Sequence, residues 1–354
     1  MAICDPKRKS KDGCMSIQFI GCLHFLYVPR FGYRAWQDAE SENVRDYCAA
    51  RGVDNMTIKN DFSRVAITTS LLTAIVFAET VFSADPIYVD AEVVTFESTS
   101  YTYPPSPFKV KQAKKLGIPV EVKMEPSVSL TGYLARPAGE ESRPAIVLLH
   151  TCNGLSKHEE MWSKRLVDWG YVVLSVDSFA PRGLKYICDG QVGHYVGPWA
   201  RALDAYGAKQ YLSTRSFVDP ARIAVMGMSH GGNTVLETIK QSISEGLAMK
   251  PFQAAIAFYP LCSVPEPFGP EPINTPILIL TGDKDSWTPV ELCEEYVGKL
   301  RSQNEIELKV FAGAYHAFDH PGIDIVELGY IVRSHPAAAA EASQMSREFL
   351  EKWL

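Results

Sequence analysis

The stretch Arg222-Ile-Ala-Val-Met-Gly-Met-Ser229-His-Gly-Gly-Asn233 decides the fold, because a short apolar run passes directly into a serine flanked by glycines. Gly227, Ser229 and Gly231 match the pattern G-x-S-x-G, in which small neighbours let a strand turn sharply into a helix below an exposed serine hydroxyl. We expect that helix at about 231–244, with its unpaired amides and positive dipole end near the serine. The pattern is short enough to arise by chance in a glycine-rich turn, so other parts of the chain must agree with it.

Segments of strand and helix character alternate on both sides of this stretch. Residues 145–150 form a nearly continuous apolar run, which is typical of a strand buried on both faces. Further strands are predicted at 120–124, 130–136, 171–176, 252–258, 276–280 and 306–311, and helices at 158–169, 199–212, 289–300 and 337–354. Strands that are connected through helices make right-handed crossovers and pair mostly in parallel. We therefore predict an α/β-hydrolase type of fold, with a doubly wound, mostly parallel sheet and helices on both faces.

Two more polar residues follow predicted strands, at the sheet edge where such folds bind ligands. Asp285 lies in the loop after one of these strands, and His316 lies in the loop after the next. A serine, then an acid, then a histidine is the chain order of α/β-hydrolase active sites. Asp283 is the rival acid, but it follows its strand at once and is expected to turn the loop. The order therefore predicts catalytic roles for Ser229, Asp285 and His316.

These residue types form one chemical unit. A serine hydroxyl is a weak nucleophile, and an imidazole within hydrogen-bond reach takes its proton during attack. A buried carboxylate holds the imidazole in the required tautomer and stabilises the imidazolium. Taken singly, His316 could be a buried structural histidine and Asp285 a loop-capping aspartate. Their joint placement after successive strands favours a serine hydrolase, whose chemistry needs no cofactor.

An oxyanion hole needs two backbone amides near the serine. The amide of His230, the residue after the serine, is predicted to be one donor. The other is expected in the loop His150-Thr-Cys-Asn-Gly154, where the amide of Cys152 is the candidate. The thiol of Cys152 is not expected to act as a nucleophile, because no histidine–acid pair remains to activate it.

Aromatic residues near the predicted strand ends are candidates for pocket walls. The segment 181–199 is rich in glycine and contains Tyr195 and Trp199, so we expect it to form a wall or lid of the pocket. Trp287, shortly after the predicted acid, is expected to form a second wall.

Composition and charge exclude several classes of function. With 354 residues, 46% hydrophobic and 21% charged, the chain is globular and long enough for one large domain or two small ones. A net charge of -6 offers no basic surface for nucleic acid, and no stable membrane partner is expected. Eight cysteines without a C-x-x-C pair argue against a zinc ribbon or a thioredoxin-type site. His316, Asp319 and His320 are close in sequence, but catalytic zinc needs a third strong ligand and an open position, so no metal is predicted.

The first ninety residues differ in character from the rest of the chain. Residues 65–78 are an uncharged stretch of 14 positions, with Lys59 and Arg64 before it and small residues after it. This is the pattern of a secretory signal peptide, and it is short for a membrane span. Signal peptides begin at the initiator, so we interpret Met56 as the true start and 56–84 as the signal peptide. Residues 1–55 are then an upstream extension added by a wrongly placed start, or a disordered tail.

Two alternatives stay open for this region: a cytosolic tail before an uncleaved signal anchor, which would attach the protein to a membrane, and a buried core helix. Cleavage and export predict a periplasmic or secreted enzyme. Export would also let the four later cysteines form two disulfides in any of three pairings. Proximity along the predicted strand ends favours Cys152 with Cys188 and Cys262 with Cys293.

Residues 85–118 are predicted to form an N-terminal strap before a catalytic domain at 119–354. Residues 85–100 alternate like a strand, and the prolines of Pro104-Pro-Ser-Pro107 predict an extended segment after it. This segment is basic through Lys109, Lys111, Lys114 and Lys115. The lysines could contact an anionic surface, but a solvated face is the simpler interpretation, and no function is assigned.

From about residue 120 to its end, the chain resembles the dienelactone hydrolase family of α/β-hydrolases. Five blocks in order carry the resemblance: Leu-Leu-His-Thr-Cys-Asn-Gly at 148–154, Gly-Tyr-Val-Val-Leu-Ser-Val-Asp-Ser-Phe-Ala-Pro-Arg-Gly at 170–183, Asp-Pro-Ala-Arg-Ile-Ala-Val-Met-Gly-Met-Ser-His-Gly-Gly at 219–232, Gly-Asp-Lys-Asp at 282–285 and Gly-Ala-Tyr-His-Ala-Phe at 313–318. The resemblance implies a triad of Ser229, Asp285 and His316 and the hydrolysis of an ester or lactone.

The sequence departs from the family in one place that matters. The enzymes that name the family have cysteine in the elbow, held in check by an acidic residue near the oxyanion loop. Here the elbow carries Ser229 and the loop carries Thr151. A general serine esterase is therefore the expectation, rather than an enzyme for dienelactone itself.

The resemblance also bears on Arg182, because an arginine in about this region of the family binds the carboxylate of the substrate. The alternative is a loop arginine that ties down neighbouring carbonyls. His320 stands where a second carboxylate-binding arginine is expected after the catalytic histidine, which favours the alternative. Arg182 thus stays a candidate pocket residue with two interpretations.

Together these observations predict a carboxylic ester hydrolase for small-molecule esters or lactones, acting through an acyl-enzyme. One alternative is a serine peptidase of the prolyl oligopeptidase type, which is disfavoured because no propeller-like repeat precedes the domain. The other is a non-catalytic secreted binding protein with a hydrolase fold, which the intact serine, acid and histidine disfavour. The sequence leaves open the acyl and alcohol groups of the substrate and the oligomeric state.

Overall fold

The computed structural model describes residues 90–103, 105, 107–120, 122–191, 196–263, 269–300 and 305–354, together with Tyr88. Its strands are β1 (Glu92–Glu97), β2 (Tyr101–Thr102), β3 (Met124–Glu125), β4 (Ser129–Ala135), β5 (Arg143–Leu149), β6 (Val172–Asp177), β7 (Val218–Met228), β8 (Ala255–Phe258), β9 (Ile277–Gly282), β10 (Ile306–Phe311), β11 (Asp324–Glu327) and β12 (Tyr330–Arg333). Its α-helices are α1 (Pro107–Leu116), α2 (Lys157–Asp168), α3 (Pro198–Ser213), α4 (His230–Thr238), α5 (Gln241–Gly246), α6 (Val290–Leu300) and α7 (Pro336–Trp353). The expectations for residues 1–55 and for the signal peptide at 56–84 fall outside the described residues.

An eight-stranded sheet with the order β1-β4-β6-β5-β7-β8-β9-β10 forms the centre of the fold. The six strands from β6 to β10 in this order are parallel, whereas β4 pairs antiparallel with β6, and β1 pairs antiparallel with β4. The chain reverses its direction of travel across the sheet between β6 and β7. This is the doubly wound arrangement that the alternating pattern predicts, and the carboxyl ends of the parallel strands share one edge.

Helices cover both faces of the sheet. Along β5, Ala145, Val147 and Leu149 contribute to one core cluster, and Ile146 and Leu148 contribute to the other. The first cluster contains residues of α3, α4 and α6, and the second contains residues of α2 and α7. These five residues of β5 have no exposed surface. Successive side chains of a strand point to opposite faces of the sheet, and here helices cover both faces.

Three local predictions are wrong in detail. The helix after Ser229 ends at Thr238, and a separate helix, α5, begins at Gln241. Between them Lys240 is extended, with ψ 134°, because it makes an isolated bridge with Ile273. The strand predicted at 120–124 contributes only Met124 to a short ribbon, β2 with β3, and β8 begins later than predicted.

The extended strap expected before the catalytic domain is also wrong. Pro107 begins the helix α1, a position that tolerates proline because the first amides of a helix have no partner inside it. The lysines, glutamine, alanine and leucine that follow are good helix formers, and their propensity prevails over the preceding prolines. Strand β1, in the first part of the strap, is paired along its length with β4 and so belongs to the main sheet.

Two disulfides join Cys152 to Cys188 and Cys262 to Cys293, with Cα atoms 4.9 Å and 4.8 Å apart. This confirms the pairing favoured from the sequence. Within the residues that the structure describes, no helix combines the length and the apolar surface needed to cross a membrane.

Candidate active site

The elbow at Ser229 is formed as the G-x-S-x-G pattern predicts. Ser229 is the single residue between β7 and α4, and its φ of 53° and ψ of -116° lie outside the usual regions for a residue with a side chain. The neighbouring glycines make this turn possible. A Cβ on Gly227 would lie 2.3 Å from the carbonyl oxygen of Gly231, and a Cβ on Gly231 would lie 2.2 Å from that of Leu149.

The three predicted catalytic side chains form one hydrogen-bonded chain. The Ser229 hydroxyl lies 2.9 Å from Nε2 of His316, and Nδ1 of His316 lies 2.7 Å from Oδ2 of Asp285. A carboxylate only accepts, so the hydrogen on the imidazole is at Nδ1, and Nε2 is left to accept from the serine. All three residues are buried, at 8%, 3% and 4% exposure, although they come from three different strand ends.

Asp285 is held by its own loop as well as by the histidine. Its Oδ1 accepts from the amides of Trp287 and Thr288, both at 2.9 Å, and its Oδ2 accepts from the Thr288 hydroxyl at 2.7 Å. Burial raises the pKa of Asp285, but the hydrogen bond and charge of His316, with the bonds from Thr288, outweigh burial and lower the pKa. The rival Asp283 instead accepts from the amide of Gly313 at 2.7 Å, so it shapes the loop as expected.

A cavity opens above Ser229 and His316. Its walls contain both polar and apolar side chains, and one carboxylate is among them. The lining residues are Thr151, Cys152, Asn153, Ser156, His158, Ser229, Tyr259, Trp287, His316, Ala317, His320, Ile323, Glu327 and Val332. The ribbon β11–β12 forms one side, because Val332 bridges to His316 and the Arg333 amide donates to the His316 carbonyl at 3.1 Å.

Of the predicted pocket residues, some line the cavity and others do not. Trp287 lines the cavity, and its ring lies 5.0 Å from the imidazole of His316 and 5.2 Å from the ring of Tyr330. Trp199 is not part of the lining, and its ring packs instead on the rings of Tyr101 and Tyr103. The wall role expected for Trp199 is therefore wrong.

Arg182 does not line the cavity either. Its guanidinium donates two bonds to the Asp204 carboxylate, at 2.9 Å and 2.8 Å, and one to the Ser178 carbonyl at 2.7 Å. The prediction that Arg182 contacts a substrate carboxylate is therefore wrong. Its contacts match the alternative interpretation, in which the arginine ties down its own loop. Tyr195 lies outside the described residues.

The two residues proposed as oxyanion donors come from two separate segments of the chain. His230 is the first residue of α4, and Cys152 lines the cavity in the loop after β5. A buried arginine that the sequence analysis missed connects both segments. Arg201 on α3 lies 2.6 Å from Nδ1 of His230 and donates to the His150 carbonyl at 2.8 Å.

A second buried carboxylate was also missed as an organising group. Asp319 accepts from Nε2 of His158 at 3.0 Å, from the Trp162 indole at 2.7 Å and from the Tyr259 hydroxyl at 2.8 Å. His158 and Tyr259 both line the cavity, and the Tyr259 ring lies 4.8 Å from that of His316. A carboxylate that accepts from two side chains of α2 and from Tyr259, just after β8, positions one wall of the cavity.

Little in the sequence pointed to these two groups. Asp319 is only three positions after His316, but its partners on α2 are more than 150 positions away. Arg201 offered a weak signal, because it lies with Asp204 among the apolar residues of a helix that packs on the sheet. A charged residue on a buried helical face requires a partner, yet the pattern does not tell which.

Comparison with known proteins identifies the family. Residues 130–354 match the family model described as the dienelactone hydrolase family. A Bradyrhizobium protein named "Probable 2-oxo-3-(5-oxofuran-2-ylidene)propanoate lactonase" is 24% identical over 204 residues, which are 54% of this chain and 79% of that protein. A protein of Emericella nidulans named "Probable dipeptidyl-aminopeptidase B" is 32% identical over 90 residues, 23% of this chain and 9% of that protein.

A solved structure shares the fold. The dienelactone hydrolase-like promiscuous phosphotriesterase from metagenomic libraries superposes with a TM-score of 0.51 at 18% identity, covering 75% of this chain and 99% of that one. The family match spans more than half of the sequence, from β4 to α7. The chain therefore belongs to the dienelactone hydrolase family, and it is a hydrolase that acts on esters or lactones.

Proposed function

We propose that this enzyme cleaves small carboxylic esters or lactones through a covalent acyl-enzyme at Ser229. The observation that carries the proposal is the continuous hydrogen-bonded chain from Ser229 through His316 to Asp285, at 2.9 Å and 2.7 Å. These distances are those of a nucleophile paired with its general base, and of a base oriented by a carboxylate.

Acylation begins when the Ser229 oxygen attacks the carbonyl carbon while Nε2 of His316 takes the hydroxyl proton. The carbonyl oxygen becomes an oxyanion, which accepts hydrogen bonds from the amides of Cys152 and His230. The tetrahedral intermediate then collapses, and the imidazolium returns the proton to the departing alkoxide. With an open-chain ester the alcohol leaves the site, whereas with a lactone it stays attached to the acyl chain.

Deacylation repeats these steps with water. His316 takes a proton from the water as its oxygen attacks the acyl carbon, and the imidazolium then protonates Ser229 as the acid is released. Asp285 is ionised throughout, because its pKa is lowered, and it stabilises the imidazolium in both halves without taking its proton. No metal or organic cofactor enters these steps.

The cavity walls limit what the substrate can be. Tyr259, Trp287, Ile323 and Val332 present aromatic and aliphatic surface beside Ser229, which favours an acyl or alcohol group with apolar character. The Bradyrhizobium relative is named as a lactonase, so cyclic esters belong among the substrates to be tried.

We further propose that the enzyme acts in the periplasm or outside the cell. Two disulfides within one catalytic domain fit an oxidising compartment, since thiols in the cytosol are kept reduced. This adds a reason for export that is independent of the apolar stretch at 65–78.

The test uses Ser229→Ala beside Ser178→Ala, a buried serine outside the cavity lining, as the matched control. Rates are measured on p-nitrophenyl esters of graded chain length and on a small lactone, and a fluorophosphonate probe is used to label the serine. We expect labelling of wild type and of the control, and a loss of at least about 10³-fold in kcat for Ser229→Ala. An alanine variant that keeps a tenth of the wild-type rate would refute the proposal.

A peptidase activity is the alternative that the same assay decides. The Emericella relative is named as a dipeptidyl-aminopeptidase, but the likeness spans only 90 residues. Dipeptide p-nitroanilides are therefore included as substrates. Turnover of these amides that exceeds turnover of every ester would replace the esterase proposal with a peptidase.

A further inference from the structure

One of the two disulfides touches the active site directly. Cys152, whose amide is the proposed second oxyanion donor, is bonded to Cys188 in the segment 179–190. Cys152 is 7% exposed and lines the cavity together with Ser229 and His316. No residue of the other bridge, Cys262–Cys293, is part of that lining.

The segment 179–190 packs closely on the loop that carries Cys152. The Ile187 amide donates to the Cys152 carbonyl at 2.9 Å, so the bridge and a backbone hydrogen bond hold the same residue. Gly154 approaches the Lys185 carbonyl so closely that a Cβ would lie 3.0 Å from it. A small core cluster fills the remaining space between the two segments: Cys152, Phe179, Ile187 and Val196, with Leu184, Cys188, Ala200 and Trp287 against it.

The inner side of the same loop has separate anchors. The His150 carbonyl accepts from Arg201, and the Thr151 amide donates to the Glu159 carboxylate at 3.3 Å. These contacts hold the two residues before Cys152. The bridge to Cys188 acts on Cys152 itself, so three successive residues of the loop are each held by a separate contact.

We propose that the Cys152–Cys188 disulfide is a positioning element for the oxyanion hole. It holds the Cys152 amide at a constant position relative to Ser229, and thereby supports the transition state rather than substrate binding. The inference rests on the proposed function, because it takes the Cys152 amide as an oxyanion donor. An oxyanion donor acts through preorganisation, so freedom of movement of the loop lowers kcat even though the amide is still present.

The two bridges also differ in accessibility. Cys188 is half-buried, whereas Cys262 and Cys293 have no exposed surface. A soluble dithiol therefore reaches the active-site bridge first. Reduction transfers two electrons and two protons from dithiothreitol to the bridge, which gives two protein thiols and the cyclic disulfide of the reagent.

The chain supplies a matched control for the test, because the bridges span similar separations of 36 and 31 residues. In the chain-entropy model, loops of such similar length constrain the unfolded state almost equally. We compare the double variants Cys152→Ser/Cys188→Ser and Cys262→Ser/Cys293→Ser, and both retain every backbone amide. A merely structural role predicts similar losses of Tm and similar kinetics for the two.

We expect kcat of the Cys152→Ser/Cys188→Ser variant to fall by at least about tenfold while its KM stays within about threefold of wild type. The Cys262→Ser/Cys293→Ser variant should keep kcat within about twofold. Equal changes of kcat in the two variants, or a loss that appears in KM alone, would overturn the inference.

A second measurement covers the case in which the first variant does not fold. Wild type is treated with dithiothreitol under native conditions until alkylation and mass spectrometry find thiols at Cys152 and Cys188 alone. The rate should fall by about the same factor and return on reoxidation. Full activity in that half-reduced enzyme would contradict the proposed role.

Failure of the inference and failure of the proposed function give different results. If Ser229→Ala stays active, the acyl-enzyme proposal itself is wrong. If Ser229→Ala is inactive and loss of the Cys152–Cys188 bridge changes nothing, only the positioning role is wrong.

Discussion

The guanidinium of Arg201 donates a hydrogen bond to Nδ1 of His230, 2.6 Å away, and a second to the carbonyl of His150, 2.8 Å away. One wholly buried side chain thus joins the residue after Ser229 to the loop that contains Cys152. Burial, followed by the charge of Arg201, lowers the pKa of His230 to about 3, so this imidazole is neutral at neutral pH. Burial also lowers the pKa of Arg201, to about 10, which still leaves it charged at neutral pH.

Replacing Arg201 with lysine should lower kcat by about tenfold or more and change KM little. A lysine keeps the charge but cannot reach both acceptors with the planar fork of a guanidinium. Steady-state kinetics on one ester measures this, with Arg347→Lys as control, since Arg347 lies at the surface on α7, where it pairs with Glu351. Wild-type kcat in Arg201→Lys would show that the two contacts are not needed for catalysis.

Asp285→Asn should lower kcat by about 10³- to 10⁴-fold. The amide cannot accept the Nδ1 hydrogen in the same way, so the wrong imidazole tautomer is favoured and the imidazolium loses its partner. The matched control is Asp283→Asn, only two positions away, whose carboxylate caps the amide of Gly313 instead. That variant should keep kcat within about threefold, and a larger loss at Asp283 than at Asp285 would reverse the assignment.

Asp319→Asn should destabilise the protein by about 3 kcal/mol near pH 5.5, because it leaves buried His158 without its counter-charge. Burial raises the pKa of Asp319, but His158, Trp162 and Tyr259 outweigh burial and lower it. Burial lowers the pKa of His158, but the charge and hydrogen bond of Asp319 outweigh burial and raise it.

These two shifts set a pH window for the stability that the pair contributes. A carboxyl group whose pKa is lowered by folding stabilises the folded state at pH values above its unfolded pKa of about 3.9. This stabilisation is lost as pH falls through the folded pKa. A histidine whose pKa is raised by folding stabilises the folded state at pH values below its unfolded pKa of about 6.5. This stabilisation is lost as pH rises through the folded pKa. Thermal unfolding from pH 4.5 to 9 should show wild type losing this advantage over Asp319→Asn above about pH 6.5. Asp324→Asn, at an exposed ion pair with Arg333, is the control, and parallel Tm curves for wild type and Asp319→Asn would contradict the window.

Glu327→Gln should change the preference of the enzyme for substrate charge. Glu327 is the carboxylate among the described residues that line the cavity, and no lysine or arginine is among them. Removing its charge should raise kcat/KM for an ester with a free carboxylate by about threefold to tenfold, relative to the same ester methylated there.

Arg182→Lys should affect the two esters equally, because Arg182 is bonded to Asp204. A selective loss on the anionic ester in Arg182→Lys would restore the substrate role of this arginine.

Export can be checked on the protein made from the full sequence in a bacterial host. The mature form recovered from the periplasm should begin near residue 85, and mass spectrometry should find no peptide from residues 1–55. Its four cysteines from Cys152 onward should resist alkylation until a reductant is added. Recovery of peptides from 1–55 in the mature protein would refute the start at Met56, and four free thiols would refute the oxidised state.

Local pattern and chain order were enough to predict that Ser229, Asp285 and His316 meet in one hydrogen-bonded chain. The turn at Ser229 needs glycines at fixed neighbouring positions, since the backbone itself fills the space where their side chains would lie. Asp285 and His316 follow buried strands of a parallel sheet, and right-handed crossovers bring the ends of such strands to one edge. The sequence by itself therefore determined the fold class and predicted which serine, acid and histidine the fold brings together, and it favoured the pairing of Cys152 with Cys188 and Cys262 with Cys293 over the two other pairings.

The tertiary structure decided which partners the other charged and aromatic side chains have. Arg182 pairs with Asp204 on α3, and Asp319 with His158 on α2, across 22 and 161 positions of sequence. Trp199 packs on Tyr101 of β2 and on Tyr103 just after it, and a pattern read along α3 contains no information about β2. A short-range pattern reflects sterics and propensity within a few residues. The partner of a buried charge depends instead on how distant elements meet, and that is known only once the whole sheet and its helices are packed.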